Sequence, residues 1–133
     1  MHHVLIVDNE LAITYVFERY FRHRGYQVSV ANDGETAFVL SQRLPLSLLI
    51  TDFRMPDING LALIELIRKK KPGLPAILVS AFASEIHTAD PSIHVLSKPV
   101  ELTRLLALAN ELVSDGNGSQ GKAAGAPSAK PAQ

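Results

Sequence analysis

The feature that most constrains this chain is a set of short apolar runs, each ending in a residue that carries chemistry. Val4 to Val7 ends in Asp8, Leu48 to Thr51 ends in Asp52, Ala76 to Val79 ends in Ser80, and Val95-Leu96-Ser97 ends in Lys98-Pro99. Runs this short and unbroken suit strands buried on both faces. In an open parallel α/β sheet, ligands bind in the crevice outside the carboxyl ends of the strands. Two acids, a hydroxyl and an amine would then gather along one sheet edge, the inventory a phosphoryl-transfer site requires.

Between the runs the apolar period becomes helical. Ile13, Val16, Phe17, Tyr20 and Phe21 share one face, Glu18, Arg19 and Arg22 lie opposite, and Gly25 is a natural stop. Val28 and Val30 alternate with polar residues as a further strand, and Asp33-Gly34 turns into a helix carrying Ala37 and Leu40. Gly60 to Lys71 reads as a helix burying Leu63, Ile64 and Ile67, with a basic end that suits the macrodipole. Phe82 to Ala89 has room for a short helix only, limited by Pro91. Glu101 to Val113 is leucine-rich and amphipathic. Five strand–helix alternations predict an α/β fold, a parallel sheet with helices on both faces. The domain is expected to span residues 1–114. Residues 115–133 are Gly, Ala, Ser and Pro with scattered Lys, too poor in large apolar side chains to offset the entropy of ordering, and are expected to form a disordered tail.

Thirteen basic and thirteen acidic side chains leave no net charge, and so no electrostatic reason for nucleic acid or anionic membrane as the main partner. No cysteine is present, which excludes disulfides and thiolate metal sites. The start Met1-His2-His3 leads straight into a strand with no room for a signal peptide, and no apolar stretch has the length of a membrane span. A cytoplasmic protein without membrane insertion is expected. The five histidines share no ligand spacing; His2-His3 reads as a solvated terminus. Arg68 to Lys71 reads as a solvated helix end, and Asp57 as a turn residue.

The segments Val-Leu-Ile-Val-Asp-Asn-Glu (4–10), Thr-Asp-Phe-Arg-Met-Pro-Asp-Ile-Asn-Gly (51–60), Val-Ser-Ala-Phe (79–82) and Ser-Lys-Pro-Val (97–100) occur in this order, each at a strand end. Through them the chain, from Val4 to Val113, resembles the receiver domain of two-component response regulators, in a stand-alone form. The resemblance implies a doubly wound, flavodoxin-like, five-stranded sheet of order 2-1-3-4-5. It also implies a phosphoacceptor switch in phosphorelay signalling rather than an enzyme in the usual sense, with Mg²⁺-dependent self-phosphorylation and slow self-dephosphorylation. Asp52 matches the phosphorylated aspartate. Asp8 and Asn9 match the acidic pair that holds Mg²⁺ together with Asp52, and Arg54 matches the position whose backbone carbonyl completes the shell. Ser80 matches the switch hydroxyl, and Lys98 the lysine whose bond to the following proline is usually cis. The implied partners are a histidine kinase or histidine phosphotransfer protein and a downstream protein that receives the signal.

Three departures from the family pattern stand out. Position 9 is Asn where the direct metal ligand is usually Asp, which removes a charge and should weaken metal binding. It also removes a like charge near Asp52. Position 95 is Val where the family carries an aromatic reporter. The interval from Ser80 to Lys98 is shorter than is typical, so a shortened fourth helix is expected. Asn9 serves equally as an N-cap of the first helix, and Arg54 and Phe82 either gate the site or are exposed loop side chains. Two rival functions remain. One is a degenerate receiver, a phosphorylation-independent interaction module. The other is an aspartyl-phosphate phosphohydrolase, disfavoured by Arg54 where that family places a second Asp. A dinucleotide-binding fold is disfavoured by the lack of a glycine-rich first turn.

Overall fold

The computed structural model describes residues 1–121. Its elements in chain order are β1 (His3–Val7), α1 (Leu11–His23), β2 (Gln27–Ala31), α2 (Gly34–Arg43), β3 (Leu48–Asp52), α3 (Gly60–Arg68), β4 (Ala76–Ser80), β5 (Ile93–Ser97) and α4 (Leu102–Gly121). All strand pairs are parallel and the order is β2-β1-β3-β4-β5, the flavodoxin-like sheet expected. The expected short helix between β4 and β5 is reduced to a single 3-10 turn, Ala83–Glu85.

The period of two along each strand sends alternate side chains to opposite layers. Val4, Ile6, Ile50, Ile77 and Val79 meet Phe17 and Phe21 of α1 and Leu105 and Ala109 of α4. Leu5, Val7, Leu49, Ala76 and Leu78 meet Ala37 of α2 and Leu63, Ile64 and Ile67 of α3. Residues on both faces are 2% exposed or less, which is why these strands read as unbroken apolar runs rather than alternating ones. Each fully buried aliphatic side chain contributes about 1.5–3 kcal/mol relative to exposure.

The helix ends follow local chemistry. Gly25 closes α1 at φ +91°, where a Cβ would be strained, with its N–H donating to the Arg22 carbonyl and that of Tyr26 to the Phe21 carbonyl. Asp33 caps α2 by accepting from the Thr36 N–H at 2.7 Å, and Asn59 caps α3 by accepting from the Ala62 N–H at 2.8 Å. Each such cap stabilises by about 1 kcal/mol.

Several local expectations need correction. Val16 is 47% exposed rather than buried, while Ile13 and Tyr20 are half-buried. The α3 helix stops at Arg68, and residues 69–71 continue as turns. Helix α4 runs past Val113 to Gly121; residues 122–133, most of the expected tail, lie outside the described residues. His3 is half-buried in β1, its Nε2 2.8 Å from the Ser29 hydroxyl, not a solvated terminus. Arg68 is not a solvated helix end either. Its guanidinium donates to the Leu74 carbonyl, the Ser92 hydroxyl and carbonyl, and Asp90, with its side chain only 15% exposed. Lys71 likewise folds back to donate to the Leu44 carbonyl.

Candidate functional site

Strand register brings the chemistry together. Val7 pairs with Thr51, so the next residues, Asp8 and Asp52, emerge side by side from neighbouring central strands. Asp52 pairs with Val79, and Ser80 with Ser97. The Lys98 N–H then donates to the Ser80 carbonyl at 2.9 Å, and the Lys98–Pro99 bond is cis. Four sequence-predicted residues, Asp8, Asp52, Ser80 and Lys98, therefore share one sheet edge, the first three of them buried.

The Lys98 ammonium joins the acids. Its Nζ lies 3.0 Å from Asp8 Oδ2, 3.4 Å from Asp52 Oδ1 and 3.9 Å from Glu10 Oε1. Burial raises the Asp52 carboxyl above its ordinary value, and the like charge of Asp8 adds to this. Lys98 and the Phe53 N–H, which donates to Asp52 Oδ1 at 2.9 Å, oppose it without cancelling it. For Lys98, burial pulls the ammonium down, but the hydrogen bond and charge of Asp8, with those of Asp52, outweigh it and hold the group above its ordinary value. Even with Asn9 uncharged, Asp52 is thus a desolvated carboxylate facing a fixed cation. Such poising recurs at nucleophilic sites.

The loop after Asp52 is pinned from two sides. The Gly60 N–H donates to the Phe53 carbonyl at 2.8 Å, and a Cβ at Gly60 would collide with the Asp52 carbonyl oxygen and come within 2.6 Å of Leu78 Cδ1. Only glycine lets α3 start so close behind Asp52. At the loop's outer turn, the Asp57 carboxylate accepts from the Gly34 N–H at 3.1 Å and the Glu35 N–H at 3.0 Å, the first turn of α2. Asp57 is therefore a tertiary cap rather than a simple turn residue. The Gly34 N–H foremost holds its carboxyl below the ordinary value, and the Glu35 N–H contributes. Ile58 lies where a Cβ at Gly34 would fall, so that glycine too is required by close approach.

The remaining predicted residues sit at the rim. Asn9 is exposed and does not cap α1; Glu10 holds the cap position, without a side-chain cap bond, and its N–H donates to Asp8 Oδ1 at 2.9 Å. Arg54 is exposed, with its guanidinium 4.2 Å from the centroid of the Phe82 ring. The Phe82 N–H in turn donates to Ser80 Oγ at 3.0 Å, which leaves the Ser80 proton available to another acceptor. Val95 is half-buried against the α2 and α3 layer.

Among the described residues no three His, Cys, Asp or Glu side chains form a group suited to hold a metal. Yet one cationic nitrogen touches both Asp8 and Asp52, so the two carboxylates converge on a point a single cation can share. Two carboxylates that share one cation make an all-oxygen donor pair. That pair fits a hard dication that keeps part of its water shell, as Mg²⁺ does, and not a soft transition metal.

A family model described as the response regulator receiver domain matches residues 4–110. The probable transcriptional regulatory protein TcrX of Mycobacterium tuberculosis is 31% identical over 78 residues, 59% of this chain and 33% of that protein. The response regulator SaeR of Staphylococcus aureus is 31% identical over 88 residues, 66% of this chain and 38% of that protein. The chain thus spans about a third of the length of the curated relatives it matches. Among solved structures, a CheY-like response regulator receiver domain protein from Methanospirillum hungatei superimposes with a TM-score of 0.79 at 23% identity, over 90% of this chain and 98% of that one. The receiver domain of the hybrid histidine kinase CckA does so with a TM-score of 0.75 at 28% identity, over 84% of this chain and 98% of that one. No helix among the described residues is long and apolar enough to cross a membrane.

Proposed function

The chain belongs to the response regulator receiver family of two-component systems, and we propose that it accepts a phosphoryl group on Asp52 and transmits that state by protein contact or onward transfer. The observation that carries this reading is the buried Asp52 carboxylate, 3.4 Å from a lysine that also holds Asp8 at 3.0 Å. The phosphoryl donor is a histidine kinase or a histidine phosphotransfer protein in the cytoplasm, and the recipient of the signal is a further protein.

An Asp52 oxygen attacks phosphorus. A new O–P bond forms while the donor's bond to phosphorus breaks, and the electron pair leaves with the donor nitrogen. Lys98 stays beside the acceptor and pairs with a phosphoryl oxygen, which offsets the charge brought into a desolvated site. Ser80 keeps its bond from the Phe82 N–H and directs its own proton to another phosphoryl oxygen. Asp8, Asp52, the Asn9 amide oxygen and the Arg54 carbonyl would hold Mg²⁺, which supplies the positive charge that screens the phosphoryl oxygens. With a neutral Asn9 that affinity is lower than an aspartate would give, but two carboxylates remain.

The test is intact mass after incubation with acetyl phosphate, with Mg²⁺ and with a chelator. A single adduct is expected for the wild type with Mg²⁺, and none for Asp52→Asn or with the chelator. An Asp52→Asn protein that gains the adduct at the wild-type rate overturns the assignment.

A further inference from the structure

Three carboxylates face one ammonium at the carboxyl ends of β1 and β3. Lys98 Nζ lies 3.0 Å from Asp8 Oδ2, 3.4 Å from Asp52 Oδ1 and 3.9 Å from Glu10 Oε1. Two of these acids are buried and fixed by backbone. Asp8 Oδ1 accepts from the Glu10 N–H at 2.9 Å, and Asp52 Oδ1 from the Phe53 N–H at 2.9 Å. Glu10 differs from both. Its side chain is 65% exposed, and it holds the cap position of α1 without a side-chain cap bond. Lys98 is pinned at its backbone by the 2.9 Å bond from its N–H to the Ser80 carbonyl, so any shift of its charge must come from the side chain.

The ammonium stands where a dication shared by Asp8 and Asp52 would stand, and two cations repel too strongly to hold one point together. Asn9 is neutral, so Glu10 carries the only side-chain charge beyond Asp8 between β1 and α1. Three carboxylates balance one ammonium and one dication, whereas two leave a surplus of positive charge. We propose that Glu10 is a positioning residue for metal entry, receiving the Lys98 ammonium when Mg²⁺ takes the place between Asp8 and Asp52. The inference rests on the proposed reading of Asp8 and Asp52 as the Mg²⁺ carboxylates. The flexible lysine stem lets the ammonium swing to a carboxylate already 3.9 Å away while the strand ends stay fixed. Lys98 then remains in the site, at hand for a phosphoryl oxygen on Asp52.

The test is a Mg²⁺ titration followed by backbone amide shifts, in wild type, Glu10→Gln, Lys98→Met and the double variant. Glu10→Gln is expected to bind Mg²⁺ about threefold more weakly, the scale of a partly exposed ion pair. Lys98→Met, freed of the competing ammonium, is expected to bind more tightly than wild type. In that background Glu10→Gln is expected to change little, because no ammonium is left to receive. An equal loss in both backgrounds means that Glu10 acts on the metal through its own charge, and overturns the inference. A second readout needs no variant. The nuclear Overhauser contact between Lys98 Hε and Glu10 Hγ is expected to strengthen at saturating Mg²⁺, and a contact that fails to strengthen also overturns it. Amide shifts around Asp52 in wild type, with Glu10→Gln affinity unchanged, sink the inference alone. Absence of those shifts in wild type sinks the metal reading of the site, and the inference with it.

Discussion

At the carboxyl ends of β1 and β3, Asp8, Asp52 and Lys98 are gathered out of solvent; at the amino ends of β4 and β5, Arg68 gathers Leu74, Asp90 and Ser92. Both are clusters of charge, yet they are arranged to opposite effect. In the first, burial and a second acid hold Asp52 above its ordinary value, so its charged form is penalised by folding. In the second, the Ser92 hydroxyl and N–H, then Arg68, hold Asp90 below its ordinary value, so its charged form is favoured. The Arg68 donors are satisfied largely by carbonyl and hydroxyl oxygens, which leaves little for a ligand to do there. The Asp52 cluster is the one with unmet demand for positive charge. Under the proposed function, that difference separates a reactive edge from a structural one more sharply than the presence of charge does.

The contrast predicts which edge each mutation damages. Arg68→Ala strips the donors from two carbonyls and a carboxylate and should cost about 2–3 kcal/mol of stability, measured by urea unfolding. Its rate of phosphoryl uptake well below the melting temperature should stay unchanged; a lost uptake would mean the two edges are coupled. Gly60→Ala inserts a methyl group against the Asp52 carbonyl and should cost about 1–3 kcal/mol. It should also impair uptake, which sets it apart from the Arg68 variant. Asn9→Asp restores a formal charge at the rim and should tighten Mg²⁺ about fivefold, followed by NMR titration of backbone amides; unchanged affinity would remove Asn9 from the shell.

The smallest effects concern pH. Asp57 has a folded value below its unfolded one, so its stabilisation is complete above the unfolded value and is lost as pH falls through the folded value. Asp57→Asn should therefore melt below wild type at neutral pH and converge with it in acid. Asp52 has the opposite sign: its penalty is absent below the unfolded value and complete above the folded one. Asp52→Asn should melt above wild type at neutral pH, with the advantage vanishing in acid. Thermal melts across pH on both variants check the two signs together.

Much of the reactive edge was legible because strand ends convert chain position into place. Once Val7, Thr51, Val79 and Ser97 are read as closing parallel strands, Asp8, Asp52, Ser80 and Lys98 gather at one sheet edge. The structural edge was not legible in the same way. The Arg68 partners are mainly backbone carbonyls, which every residue carries, and nothing in Arg68-Lys69-Lys70-Lys71 distinguishes the one that folds back fully. The tether from Asp57 was equally hidden, since it reaches the amides of Gly34 and Glu35 at the start of α2. The one available signal was the unmet N–H groups that any helix start presents. The stack of Arg54 on Phe82 needed the fold of two loops at once, so the sequence left gate and exposed side chain as equals.

The most direct test of the account is to trap the phosphorylated protein with borohydride, which reduces an acyl phosphate, and to map the modified residue by peptide mass. The account predicts reduction at Asp52 alone, dependent on Mg²⁺ during loading. Reduction at Asp8 or at any other acid, with Asp52 untouched, would contradict it.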